Sequence, residues 1–298
     1  MKTAELKKFE IPGRVSLVDG NGDLPMVWAS TDWSVAEIYL HGAHVASFQK
    51  KNEPSLLFLS EESRFEVGEP IRGGIPVILP WFGPKEGEKA HGFARVKNWE
   101  LTDTKVTTDG SVRVALRLPD GPEMAKWGTP FAAEYAVTVG KTLKLELTIT
   151  NLSKERELVL EDCLHTYFTV GEIGAVTIAG LKGAEYLDKV EGLAKKTETN
   201  DVIRVGSEVD RVYMDTTNEV EIRDGKLGRV IRVTKEGSKS TVVWNPWIAK
   251  ADAMADFGDE EYLKMVCVES GNVGKNKLVI GAGKSETMRV ELFSEVLK

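Results

Sequence analysis

Apolar residues recur at every second position in several stretches of this chain, a period that suits a strand buried on one face and does not suit a helix. Leu143, Leu145, Leu147 and Ile149 alternate with Lys144, Glu146 and Thr148. Val112, Val114, Leu116 and Leu118 alternate with Arg113, Ala115 and Arg117, and Val290 and Leu292 with Arg289 and Glu291. Shorter β-rich runs lie at Val35–Leu40, Leu56–Leu59, Trp99–Val106, Glu134–Val139, Glu157–Leu160, Val220–Ile222, Val230–Thr234, Thr241–Trp244 and Met265–Val268. Turn sequences separate them, among them Asp19-Gly20-Asn21-Gly22, Asp109-Gly110, Asp120-Gly121-Pro122 and Asp224-Gly225. Helical patterning is confined to Pro122–Trp127 and Trp247–Ala255. Many short strands spaced by such turns predict an all-β sandwich or barrel with a few short helices, not βαβ units. No linker-like stretch or break in composition divides residues 1–298, so a single domain is expected. The roughly 20–50-residue repeat of a propeller is missing.

Charge narrows the partners. The chain has 46 acidic and 39 basic residues, a formal charge of −7, and its lysines and arginines are scattered among acids, which argues against a nucleic-acid binder. Two cysteines, Cys163 and Cys267, make no disulfide framework and fit a reducing compartment. No apolar run approaches the roughly 20 residues of a membrane span, and the start MKTAELKKFE lacks a signal-peptide core. A cytoplasmic protein without a membrane partner is expected. Phosphate-cradling loops, a dinucleotide fingerprint and a serine nucleophile elbow are absent from the sequence.

Four segments depart from the strand pattern. In Ile71-Arg72-Gly73-Gly74-Ile75-Pro76 a lone cation precedes two glycines, so Arg72 either offers a planar fork to hydroxyls or phosphate or simply pairs with a carboxylate at a turn. In Lys89-Ala90-His91-Gly92-Phe93-Ala94-Arg95, His91 and Arg95 could hold an anionic, hydroxyl-rich molecule over an apolar floor from Phe93. The plainer alternative there is a core Phe93 flanked by polar residues that cap a strand. Read as a strand, Leu160–Phe168 places Cys163, His165 and Tyr167 on one face, with His165 suited to acid–base work near neutral pH. Glu269 follows the apolar run Met265–Val268, where a carboxylate is costly unless paired or functional, and burial would make it a stronger base. A strand-end glutamate facing water is the alternative. Trp81, Trp244 and Trp247 lie near these segments and suit stacking on sugar faces, although tryptophans more often belong to cores.

Cys163 lies two residues before His165, and Cys267 two before Glu269. On adjacent strands all four would meet. A Cys, His, Cys, Glu metal site is therefore a rival, but the close Cys-Cys or His-His spacings of structural zinc sites are missing, and two buried thiols beneath an acid–base pair are favoured.

Taken together, Arg-Gly-Gly-Ile-Pro with Pro80-Trp81-Phe82-Gly83, His-Gly-Phe-Ala-Arg, the His165 strand and the Glu269 strand occur in the order found in the aldose 1-epimerase superfamily. The chain resembles its glucose-6-phosphate 1-epimerase branch from about residue 14 to 295. The resemblance implies a large antiparallel β-sandwich of the galactose mutarotase type, with His165 as general acid and Glu269 as general base. It implies that Arg72 and Arg95 hold the phosphosugar, His91 contacts its hydroxyls and Asp210 hydrogen-bonds the sugar. Some relatives carry Gln immediately before the His-Gly-Phe-Ala-Arg motif, whereas this chain has Ala90, which leaves the hexose preference open. The implied reaction, α to β anomer exchange of an aldohexose 6-phosphate, needs no metal or organic cofactor. A monomer is expected. A glycoside hydrolase using Glu269 with Asp256 or Asp210, and a non-catalytic sugar-binding or sensing protein, are the alternatives.

Overall fold

The computed structural model describes residues 3–297. The strongest alternation in the sequence marks the centre of the larger sheet. In the strand Leu143–Asn151 the side chains of Leu143, Leu145, Leu147 and Ile149 are fully buried, while Lys144 faces water. That strand pairs with Phe131–Val139 on one side and Ser285–Val296 on the other, within a nine-stranded sheet. Val112–Arg117, Glu100–Val106 and Arg229–Glu236 extend it outward. An eight-stranded sheet packs against it. Its central strands are Val209–Met214, Ser240–Asn245, Met265–Asn272 and Asp162–Leu164, with Tyr167–Thr169 also paired to Met265–Asn272. A four-stranded meander, Val15–Asp19, Pro25–Ser30, Ser34–Tyr39 and His44–Lys50, and a two-stranded ribbon of Leu158–Leu160 with Leu278–Ile280 complete the described strands. Every ladder among them is antiparallel.

The core lies between the two large sheets. Leu145, Leu147, Val290 and Leu292 from one meet Leu164, Val243, Val266 and Val268 from the other in one apolar cluster. Each such side chain contributes about 1.5–3 kcal/mol of burial, enough in sum to fix the register of both sheets. Helices are few and short: Thr3–Leu6, Pro122–Lys126 and Trp247–Asp252. The all-β antiparallel sandwich with a few short helices is thus the observed architecture.

Two segments differ from the sequence reading. Leu56–Leu59 is not a strand: it makes single bridges, Leu57 to Phe168 and Leu59 to Gly73. Gly73, at φ 110°, runs so close that a Cβ there would stand 2.5 Å from the Phe58 carbonyl oxygen, and the two segments meet at a single antiparallel bridge without extending into a ladder. The segment around His165 is also interrupted, with no strand at His165 and Thr166. The Thr166 N–H turns back to the Leu164 carbonyl, and the His165 N–H donates to Pro76.

The outer face of the eight-stranded sheet carries the polar side chains. Directly opposed residues in an antiparallel pair share a face. Asp210 is opposite Trp244, Trp244 opposite Cys267, and Val242 opposite Glu269, which puts all of these on the side away from the main core. Their immediate neighbours Val243, Val266 and Val268 face inward.

Candidate active site

Glu269 sits in the middle of Met265–Asn272 and is 1 % exposed, so it is not a solvated strand end. The interruption in the facing chain does not change its register. Leu164 is opposite Ser270 and Tyr167 opposite Cys267, which sets His165 across from Glu269. The result is a cross-strand acid–base pair, with His165 Nε2 3.2 Å from Glu269 Oε1. Aromatic rings fix the imidazole: Tyr167 stacks on it at 4.8 Å, and Trp244 and His91 meet it edge to face at 6.0 and 5.7 Å. Its Nδ1 is buried without a partner.

Burial disfavours charge on either group. It pushes Glu269 well above the ordinary carboxylate range and His165 well below that of imidazole, the latter helped by His91, Arg95 and Arg72. The pair therefore rests with one proton between Nε2 and Oε1, and that proton belongs to the pair as a whole.

A cavity of about 270 Å³ opens over the pair. It is lined by Arg72, His91, Arg95, His165, Asp210 and Glu269, so the fold brings all six expected site residues to one place. A wider cleft of about 620 Å³ beside Phe58 and Glu261 has no histidine or arginine in its wall.

The arginines differ in their free donors. Arg72 has a partner on each guanidinium nitrogen: Nε and Nη2 bind Asp256, and Nη1 donates to the Tyr167 hydroxyl at 3.1 Å. Its pairing with a carboxylate and its place in the cavity wall therefore hold together. Arg95 gives one hydrogen bond to the Ala90 carbonyl, at 2.9 Å, and keeps a buried Nε without a partner. Burial and the neighbouring Arg72 pull its pKa down to about 10. An anion entering the cavity would meet Arg95 as the less satisfied cation.

His91 reaches the cavity from strained backbone. It lies at φ 67° and is followed by Gly92 at φ 71°, where a Cβ would stand 2.0 Å from the Leu79 carbonyl oxygen. Its Nδ1 accepts a hydrogen bond from the Gly83 N–H, which leaves Nε2 to carry the proton. Burial and the Arg95 charge pull its pKa down to about 3. Of the two readings of Phe93, the structure has the plainer one. Phe93 belongs to the core and packs against Trp81. Of the three tryptophans singled out, Trp244 lines the cavity.

Lys189 escaped the sequence reading. It follows the strand Glu185–Asp188, its N–H donates to the Asp210 carbonyl, and its ammonium lies 3.0 Å from Asp210 Oδ2 in the cavity wall. Nothing in the surface-like stretch Lys189–Lys196 distinguishes this lysine, because only the pairing of Glu185–Asp188 with Val209–Met214 brings it beside Asp210. The two carboxylates considered as hydrolase partners thus each face a cation, Asp210 on Lys189 and Asp256 on Arg72.

The four residues weighed as metal ligands do meet. His165, Cys267 and Glu269 place ligand atoms within 4.8 Å of one another, and the Cys163 thiol touches Glu269. Burial pushes both thiols well above their ordinary pKa.

The buried histidines make stability pH-dependent. His44, also buried, and His91 both have pKa values near 3 in the fold, below the ordinary value of about 6.5. Between these values the unfolded chain binds protons that the folded chain does not, so each histidine's contribution is complete above pH 6.5 and lost as pH falls. Asp162, raised to about 7 by burial, acts with the opposite sign and flattens the total curve. The His91 share is isolated as the stability difference between wild type and His91→Gln. In urea titrations this difference should shift against the wild type by about 1.4 kcal/mol per pH unit below 6.5. A pH-independent difference contradicts a buried neutral imidazole.

Known proteins resemble this chain along most of its length. The profile of the family described as Aldose 1-epimerase matches residues 28–292. A protein of Cenchrus ciliaris named "Putative glucose-6-phosphate 1-epimerase" is 38% identical over 248 residues, covering 80% of this chain and 75% of its own length. One of the same name from Escherichia coli is 35% identical, covering 82% of each chain. The crystal structure of a "putative mutarotase" from Salmonella typhimurium superposes with a TM-score of 0.89 at 29% identity, over 96% of this chain and 95% of the other. The sandwich, the matched span and these relatives lead to one conclusion: the chain belongs to the aldose 1-epimerase family, whose members interconvert the anomers of sugars.

Proposed function

We propose that this protein is a hexose-6-phosphate 1-epimerase that exchanges the α and β anomers of an aldohexose 6-phosphate, glucose 6-phosphate foremost, within a single β-sandwich domain. The observation that carries the reading is the buried His165–Glu269 pair at the base of a cavity that also holds Arg72 and Arg95. Ionised Glu269 takes the proton from the C1 hydroxyl while protonated His165 gives one to the ring oxygen. The C1–O5 bond opens, the C1–C2 bond rotates, and reclosure on the other face of the carbonyl reverses the two transfers. Protons balance within the pair, so the reaction needs no cofactor.

The resting pair must move its proton fully to His165 for this step. Arg72 and Arg95 oppose that charge. A phosphate dianion on the two guanidinium groups offsets their field and restores the imidazolium, which couples substrate binding to readiness for catalysis. His91 Nε2–H and Asp210 are placed to hold sugar hydroxyls, with Lys189 fixing the Asp210 carboxylate. The names of the relatives from C. ciliaris and E. coli support the phosphosugar as substrate.

The test is a coupled assay with a dehydrogenase specific for the β anomer, started with freshly dissolved α-glucose 6-phosphate. The protein should abolish the lag set by spontaneous anomerisation. An unchanged lag would contradict the assignment.

A further inference from the structure

The proton transfers above use one oxygen of Glu269 and leave the other unexplained. Oε1 faces His165, and Oε2 accepts a hydrogen bond from the Cys163 thiol at 3.3 Å. No other side-chain hydrogen bond to the Glu269 carboxylate occurs among the described residues. Cys163 lies on the adjacent strand opposite Gly271, two residues beyond Glu269 and on the same face. A Cβ at Gly271 would stand 2.9 Å from the Cys163 Cβ, so bare backbone at 271 leaves the thiol its room beside the carboxylate.

We propose that Cys163 is a positioning residue for the general base: its thiol holds Oε2 and so turns Oε1 toward His165 and the sugar. This rests on the reading of Glu269 as that base. The terminal torsion of a glutamate is broad, and a carboxylate with one free oxygen would rotate in its pocket. A thiol suits the role because it is a weak donor. A hydroxyl or amide donor would fix the carboxylate equally well but stabilise its ionised form more, which weakens it as a base.

Two substitutions separate donation from packing. Cys163→Val keeps the site filled with an apolar side chain about one methyl larger and loses the donor, whereas Cys163→Ser keeps a donor and makes it stronger. Val should lower kcat about tenfold with KM little changed, and move the acid limb of kcat/KM to higher pH. Ser should retain most of kcat and move that limb to lower pH. A Val variant with the wild-type profile, or a limb that moves the same way in both, overturns the proposal. A second measurement needs no turnover and stands even if hexose phosphates prove not to be substrates. In Cys267→Ala, where Cys163 is the sole thiol, the infrared S–H stretch should lie below its position in the Cys267→Ala/Glu269→Ala double variant. Equal positions overturn the proposal.

Discussion

Glu269→Gln should lower kcat for anomerisation about a thousandfold while leaving the sandwich folded. The amide has the shape of the carboxylate and fits beside His165 and Cys163, but it cannot take a proton from the C1 hydroxyl. Stability should not suffer, because the amide keeps the shape of the carboxyl group and, like the proton-sharing pair, places no net charge in a site that is 1 % exposed. His165→Ala should cause a loss of similar size, since it removes the group that protonates the ring oxygen. The double variant should be hardly worse than either single one, because two groups that pass one proton act as a unit. Initial rates, together with urea unfolding of each variant, check all three expectations. Near-normal rates in either single variant would remove the pair from the chemistry.

Arg95→Ala should raise KM for the phosphosugar by roughly 30- to 160-fold, in line with the loss of about 2–3 kcal/mol from one partner of a buried charge contact. The kcat/KM for free glucose should change little. Arg95 is the sharper probe of the two arginines because its guanidinium keeps an unpartnered Nε and, among the described residues, makes no ion pair. Arg72→Ala should also weaken phosphosugar binding, but it strips Asp256 and Tyr167 of their partner, so a loss of stability accompanies it. Steady-state kinetics on both sugars separate the cases. An equal effect of Arg95→Ala on glucose and its phosphate argues against a phosphate contact.

The fold was legible where strands are half buried. Leu143–Ile149 shows its alternation because one face meets the core and the other meets water. His44–Lys50 hid its own because its first half is covered on both sides, so that the successive residues His44, Val45 and Ala46 are all buried and show no period. The site was legible where chemistry is expensive. A carboxylate after four apolar residues, a histidine two residues from a cysteine, and glycines beside a lone arginine each stand out because burial or backbone strain must be offset. The spacing of Cys163 to His165 and of Cys267 to Glu269 located the shared face, even though the His165 strand is broken. Lys189 and the Arg72–Asp256 pair were not legible, since surface-like lysines and aspartates carry no local mark and meet their partners only through long-range pairing.

The central claim is that the facing His165 and Glu269 exchange the anomers of a phosphorylated hexose. Two-dimensional exchange NMR on equilibrated glucose 6-phosphate tests it most directly, because the α and β C1 protons report their interconversion without a coupling enzyme. The wild-type protein should produce exchange cross-peaks that buffer alone and Glu269→Gln do not. Cross-peaks of equal intensity in wild type, Glu269→Gln and buffer would contradict the account.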